Sequence, residues 1–142
     1  YAKSENYLTD YRIIGLHENY NSSAMLHEMQ TEKVQYYSFE DIFIREKIDF
    51  TQAIKKTLKS ISKNPYGVEL DMDAIEGFPA SATTPSGISP REARQYVSIC
   101  GASKNASYLH LPETAPSDSS LDQAQAGKLL SYLVSDFIKA NQ

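Results

Sequence analysis

The sequence predicts an α/β fold, a mainly parallel sheet with helices on both faces, and three observations predict it. Strand-like and helix-like segments alternate four times along the 142 residues. The connections are long enough to hold crossover helices, which join parallel strands with a right-handed turn. The first strand-like stretch, Tyr11 to His17, has the near-continuous apolar centre Ile13-Ile14-Gly15-Leu16, the pattern of a strand covered on both sides.

In order, Asn21 or Ser22 can cap a helix that carries Met25, Leu26 and Met29 and runs to about Lys33, since a short polar side chain satisfies the free amides of a first turn. Val34 to Tyr37 reads as a second short strand. Ser38-Phe39-Glu40-Asp41 can open a helix of one or two turns with Phe39, Ile42 and Phe43 inward. Asp49 to Gln52 resembles a capping box and starts an amphipathic helix with Phe50, Ile54, Leu58 and Ile61 on one stripe, ending near Asn64-Pro65. A strand from Tyr66 to Met72 follows, then a loop from Ala74 to Ile88. A loop of that length in a compact domain usually carries function. Ser89-Pro90-Arg91-Glu92 combines a cap, a proline at the first helical position and an acid three residues after the cap, a strong helix start. That helix should run to about Cys100 and stop at Gly101. Ala106 to Leu111 is the fourth strand, and a last helix from Leu121 to about Ala140 carries Leu129, Leu130, Leu133, Val134, Phe137 and Ile138. It should pack on the sheet.

Residues 1–142 fit one domain, 41% hydrophobic and 23% charged, that would bury roughly 70% of its unfolded surface. A net charge of -4 and a pI near 5.3 give no footprint for nucleic acid. Lys55, Lys56, Lys59 and Lys63 read as the solvated face of one helix. The single cysteine, Cys100, reads as a buried structural thiol, consistent with a reducing cytoplasm. No apolar run suits a membrane span, and Tyr1 to Glu5 lack the features of a signal peptide. The chain starts without methionine and enters a fold partway, so a portion of a longer domain is expected.

Val68-Glu69-Leu70-Asp71-Met72-Asp73 is the stretch with chemistry in it. In an extended chain Leu70 and Met72 face one way and Asp71 and Asp73 the other. Two like charges at one spot need a cation, solvent or a raised pKa to compensate, and a hard divalent metal is the simplest. Glu113 leaves the end of the fourth strand. In open α/β sheets ligands bind outside the carboxyl ends of strands, so Asp71, Asp73 and Glu113 are expected to converge.

These motifs, over most of the chain, resemble the C-terminal half of the ureohydrolases, the arginase, agmatinase and formimidoylglutamase family. Glu69-Leu70-Asp71-Met72-Asp73-Ala74-Ile75-Glu76-Gly77 is similar to the family's late Ser-x-Asp-x-Asp-x-x-Asp-Pro metal motif. Pro79 to Ser89 is similar to its Pro-Gly-Thr-Gly-Thr-Pro loop, which leads into a helix with an Arg-Glu pair, here Arg91-Glu92. Leu111 to Pro116 is similar to its Val-Glu-x-x-Pro strand exit. The resemblance implies a three-layer, arginase-like α/β domain. It implies two manganese ions activating water against a linear amidine or guanidine, with Asp71 bridging the ions and Asp73 chelating one. It further implies that Glu113 holds the cationic amidine, that Thr84 lies in the substrate loop, and that the full-length protein is a homo-oligomer. Glu76-Gly77 departs from Asp-Pro, and Tyr20 stands where arginases carry the acid that reads the substrate α-amino group, which favours formimidoylglutamate or a related amidine. The family's Gly-Gly-x-His and Asp-x-His-x-Asp motifs are absent, and the only histidines are His17, His27 and His110. With those ligands missing, the chain alone is expected to be inactive.

Plainer readings stand beside these. Thr84 can simply stabilise its loop, and His110, in mid-strand, reads as a core histidine. Asp-x-Asp at a strand end also suits a Mg-dependent phosphohydrolase, but Ile75 stands where that chemistry wants a threonine or valine. A non-catalytic binding or assembly module is the third reading.

Overall fold

A computed structural model describes residues 5, 7–32 and 34–142. The chain divides into two compact units, Tyr1–Thr57 and Leu58–Gln142, each built around one pair of parallel strands.

In the first unit β1 (Arg12–Leu16) pairs in parallel with β2 (Gln35–Ser38). The register shifts between Ile14 and Leu16, where Gly15 takes φ +85, a backbone region that costs glycine little. A short 3-10 turn (Glu18–Tyr20) and α1 (Ser23–Thr31) connect the two strands. Ser22, not Asn21, is the cap: its hydroxyl accepts the Met25 amide, while Asn21 donates to the His17 carbonyl. The expected end at Lys33 lies outside the described residues. No residue of α1 is fully buried, and Met25 is exposed. After β2 the expected short helix forms as a π-helical turn (Glu40–Ile44), with Phe39 and Ile42 buried. Phe39 stacks on His17 at 4.2 Å and meets Phe43 at 4.7 Å.

α2 (Phe50–Ile61) crosses the boundary between the units. Asp49 Oδ1 accepts the Gln52 amide, and Phe50, Ala53 and Ile54 are buried while Lys55, Lys56, Lys59 and Lys63 are exposed. Leu58 and Ile61, the rest of the predicted stripe, are half-buried.

In the second unit β3 (Tyr66–Glu69) pairs in parallel with β4 (Ala106–His110). Gly67 lies under Tyr108, whose ring atoms would come within 2.0 Å of a Cβ there, so any larger residue would require this exposed ring to swing aside. β3 ends at Glu69, earlier than the alternation predicts, and the chain turns into a 3-10 turn (Met72–Ala74). The cause is local: Asp71 Oδ1 accepts the Asp73 amide, and such short-range bonds compete with strand extension. Leu70 and Met72 are nevertheless buried as expected.

α3 (Pro90–Gly101) starts with the full capping box, Ser89 Oγ accepting the Glu92 amide and Glu92 Oε2 accepting the Ser89 amide. α4 (Ser120–Ala140) is capped by Ser119. Where the sheet was expected, α4 packs chiefly on α3, and its C-cap reaches β4, Asn141 donating to the Ala106 carbonyl at 3.3 Å. Arg94 and Asp136 form a two-bonded ion pair, 2.7 and 3.1 Å, between the helices. Of the predicted apolar stripe only Leu129 and Leu133 are buried, joined by Ala126, and Val134 and Ile138 stand exposed. Among the described residues no helix is long and apolar enough to cross a membrane.

Candidate functional site

The carboxyl ends of β3 and β4 carry the candidate site, and backbone pairing places its residues. Glu69 stands opposite His110 in register. Beyond the strands the pairing continues, with the Leu70 amide donating to the His110 carbonyl at 3.0 Å and the Met72 amide to the Pro112 carbonyl at 3.2 Å. This zipper brings Asp71 and Glu113, far apart in sequence, to the same edge.

The loop between β3 and α3 closes over that edge. Gly77, at φ +64, donates its amide to the Thr84 carbonyl at 2.9 Å. Residues 79–81 run antiparallel to 113–115 through the Ala80–Thr114 bridge, with the Ser81 amide on the Glu113 carbonyl (3.0 Å) and the Ala115 amide on the Pro79 carbonyl (3.1 Å).

Side chains complete the arrangement. Asp73 Oδ1 accepts the Ala82 amide at 3.2 Å, and its Oδ2 meets Ser81 Oγ at 3.2 Å. The same Ser81 hydroxyl lies 2.6 Å from Glu113 Oε2. Glu113 itself adopts φ +69, a left-handed conformation uncommon outside glycine and worth notice at a binding edge. Asp73 and Glu113 thus both lie against Ser81, a residue that the sequence reading passed over.

Partial burial pushes the Asp71 carboxyl above the ordinary carboxylate range, and the neighbouring charges of Asp73, Glu113 and Glu69 push it the same way, against the pull of the Asp73 amide. His110 meets this edge as well, its Nδ1 2.7 Å from Glu69 Oε2. His110 is 57% exposed, which corrects its reading as a core histidine: the end of β4 is a sheet edge open to solvent. Thr84 is buried at 6%, and its hydroxyl is spent within the loop, donating to the Ser86 carbonyl and accepting the Ser86 amide. Cys100 is buried and its thiol is pushed up to about 12 by that burial, so it stays protonated as expected of a structural cysteine.

A hard divalent cation would find suitable donors in kind here, since carboxylate oxygens are what such ions take. They fall short in number. Among the described residues no group of three or more histidine, cysteine, aspartate and glutamate side chains is arranged to hold a metal, so Asp71 and Asp73 are at most part of a ligand set. A cavity of about 710 Å³ lies elsewhere in this unit, between α3, α4 and residues 76–79, with Arg91, Lys128 and Tyr132 in its wall.

No protein-family model matches the chain, and no curated protein matches it. Solved structures do. Arginase from Bacillus subtilis superposes with a TM-score of 0.76 at 18% identity, covering 89% of this chain and 42% of that one. Formimidoylglutamase from the same organism gives a TM-score of 0.77 at 20% identity, covering 89% and 41%. Formiminoglutamase from Trypanosoma cruzi, in a form with Mn²⁺, gives 0.73 at 11%, covering 89% and 43%. The chain therefore has an arginase-like α/β fold, as expected. It spans about two-fifths of the length of these structures.

Proposed function

We propose that the chain is part of a ureohydrolase, a hydrolase of linear amidines or guanidines, and that the edge formed by Asp71, Asp73 and Glu113 is its share of the active site. The observation that carries this reading is the meeting of those three acids at the carboxyl ends of two parallel strands in an arginase-like fold. Asp71 and Asp73 are assigned to hold manganese. When bound, the metal supplies hydroxide from water near neutral pH. Glu113 is assigned to the amidine, because a carboxylate faces two N–H donors of a planar cation well. Formimidoylglutamate or a related amidine is the preferred substrate.

The remaining metal ligands lie outside this chain, so the chain alone should not turn over substrate. The activity is assigned to a longer, cytoplasmic protein that assembles as a homo-oligomer. The absence of a complete metal-holding group among the described residues also favours a second reading, a non-catalytic α/β module that keeps the acids without the chemistry.

Thermal unfolding under Mn²⁺ titration separates the two. Binding to the native state stabilises by RT ln(1 + [L]/Kd), about 2.7 kcal/mol at a hundred times Kd. A rise in Tm that Asp71→Ala abolishes supports the metal assignment. No shift at millimolar Mn²⁺ in the isolated chain or in the longer protein would leave the non-catalytic reading in place.

A further inference from the structure

We infer that Ser81 is the positioning residue of this edge, ordering the Glu113 carboxylate for the amidine; the inference rests on the amidine-binding reading of Glu113. Ser81 Oγ lies 2.6 Å from Glu113 Oε2 and 3.2 Å from Asp73 Oδ2. A hydroxyl has one hydrogen to give. The shorter contact takes it, so Ser81 donates to Glu113, and the hydroxyl oxygen is left facing Asp73.

Three features make this more than a chance surface contact. The Ser81 backbone is itself fixed to Glu113, its amide donating to the Glu113 carbonyl at 3.0 Å, so donor and acceptor are held by the same antiparallel bridge. The adjacent Ala82 amide grips the other oxygen of Asp73, so residues 81 and 82 hold both acids at once. The positive φ of Glu113 turns its side chain out of the extended path, and a conformation of that cost persists where surrounding contacts hold it.

The consequence is a division of labour within one carboxylate. Ser81 holds Oε2, and Oε1 accepts no hydrogen bond among the described residues, which leaves it to receive an N–H of a planar cation. An exposed glutamate has several rotatable bonds, and ordering such a side chain at binding costs affinity. Ser81 settles that orientation in advance.

The test uses the full chain, with Ser81→Ala and Ser81→Thr, and two independent readouts. Side-chain scalar couplings of Glu113 by NMR report its rotamers without any ligand. A single rotamer in the parent, averaging in Ser81→Ala and a single rotamer again in Ser81→Thr is the expected result. Unchanged couplings in Ser81→Ala would overturn the positioning role whether or not an amidine binds. Acetamidinium is the binding probe, titrated against the parent and both variants, with Glu113→Gln as the control. Ser81→Ala should bind roughly three- to tenfold more weakly, the size expected for ordering one long side chain, and Ser81→Thr should recover. Acetamidinium binding that Glu113→Gln does not weaken would instead overturn the amidine role of Glu113, an outcome distinct from a failure of the rotamer test.

Discussion

The two strand pairs end in opposite electrostatic states. At the end of β1 and β2 the acids are matched. Arg45 engages both Glu18 and Asp41, and Lys47 lies 2.9 Å from Asp41. The Glu18 and Asp41 carboxyls are held below the ordinary range, Glu18 by its bonds from Arg45 and Asp41 by those from Lys47 and Arg45. At the end of β3 and β4, among the described residues, the acids Glu69, Asp71, Asp73 and Glu113 have a single ion-pair contact, that of Glu69 with His110, and Asp71 is pushed above that range. A matched cluster needs nothing further. An unmatched one stays unfavourable until a cation arrives, and this is why the second edge, not the first, is the candidate site.

The largest expected effect tests what holds the unmatched edge in place. Met72 and Ile75 are wholly buried around the acid turn. Met72→Ala should cost about 2–5 kcal/mol, the range for emptying a buried site of that size, read by chemical denaturation. The loss should carry the second unit's signals and take the Asp71 and Asp73 environment with it.

A smaller effect separates the cap from the charge at Asp71. Asp71→Ala removes the side chain that accepts the Asp73 amide, a loss of about 1 kcal/mol by analogy with helix caps, partly offset by relief of repulsion. Asp71→Asn keeps an oxygen for that amide and removes the charge, so it should be more stable than Asp71→Ala and at least as stable as the parent. A stability of Asp71→Asn below that of the parent would mean that the charge is balanced after all.

The pH dependence has opposite signs at the two edges. Glu18 and Asp41 have folded-state pKa values below their unfolded ones, so their contribution is present above the unfolded pKa and is lost as pH falls through the folded one. Asp71 is raised, so its contribution is most favourable below the unfolded pKa and is lost as pH rises through the folded one. Carboxyl-resolved ¹³C NMR should place the Asp71 midpoint above that of Asp41, and the Glu18 midpoint below the ordinary glutamate range. Arg45→Ala should raise the last two and leave Asp71 where it is.

Much of this was legible in the residues, and the exceptions have physical causes. Helix starts carry their own chemistry, and Ser22, Asp49 and Ser89 cap where the sequence places caps. The parallel pairing and the arginase-like fold followed from alternation and motif order. The early end of β3 was hidden because Asp71 bonds its own backbone two residues on, which a pattern of alternating apolar residues does not register. α4 was assigned to the sheet because an apolar stripe does not say whether a sheet or a helix covers it, and here α3 does. Ser81 was missed for a different reason. Its partner Glu113 is 32 residues away, and no local pattern marks a serine that bonds across such a gap. The one available signal was its place in the loop between two prolines, Pro79 and Pro85, already singled out for its length.

The most direct test is paramagnetic line broadening by substoichiometric Mn²⁺ in the ¹⁵N-labelled chain, because it reads both edges in one experiment. The account predicts broadening of the amides of Asp71, Asp73, Ala82 and Glu113, lost in Asp71→Ala, with Glu18 and Asp41 unaffected. Equal broadening at Glu18 and Asp41, or broadening that survives Asp71→Ala, would contradict it.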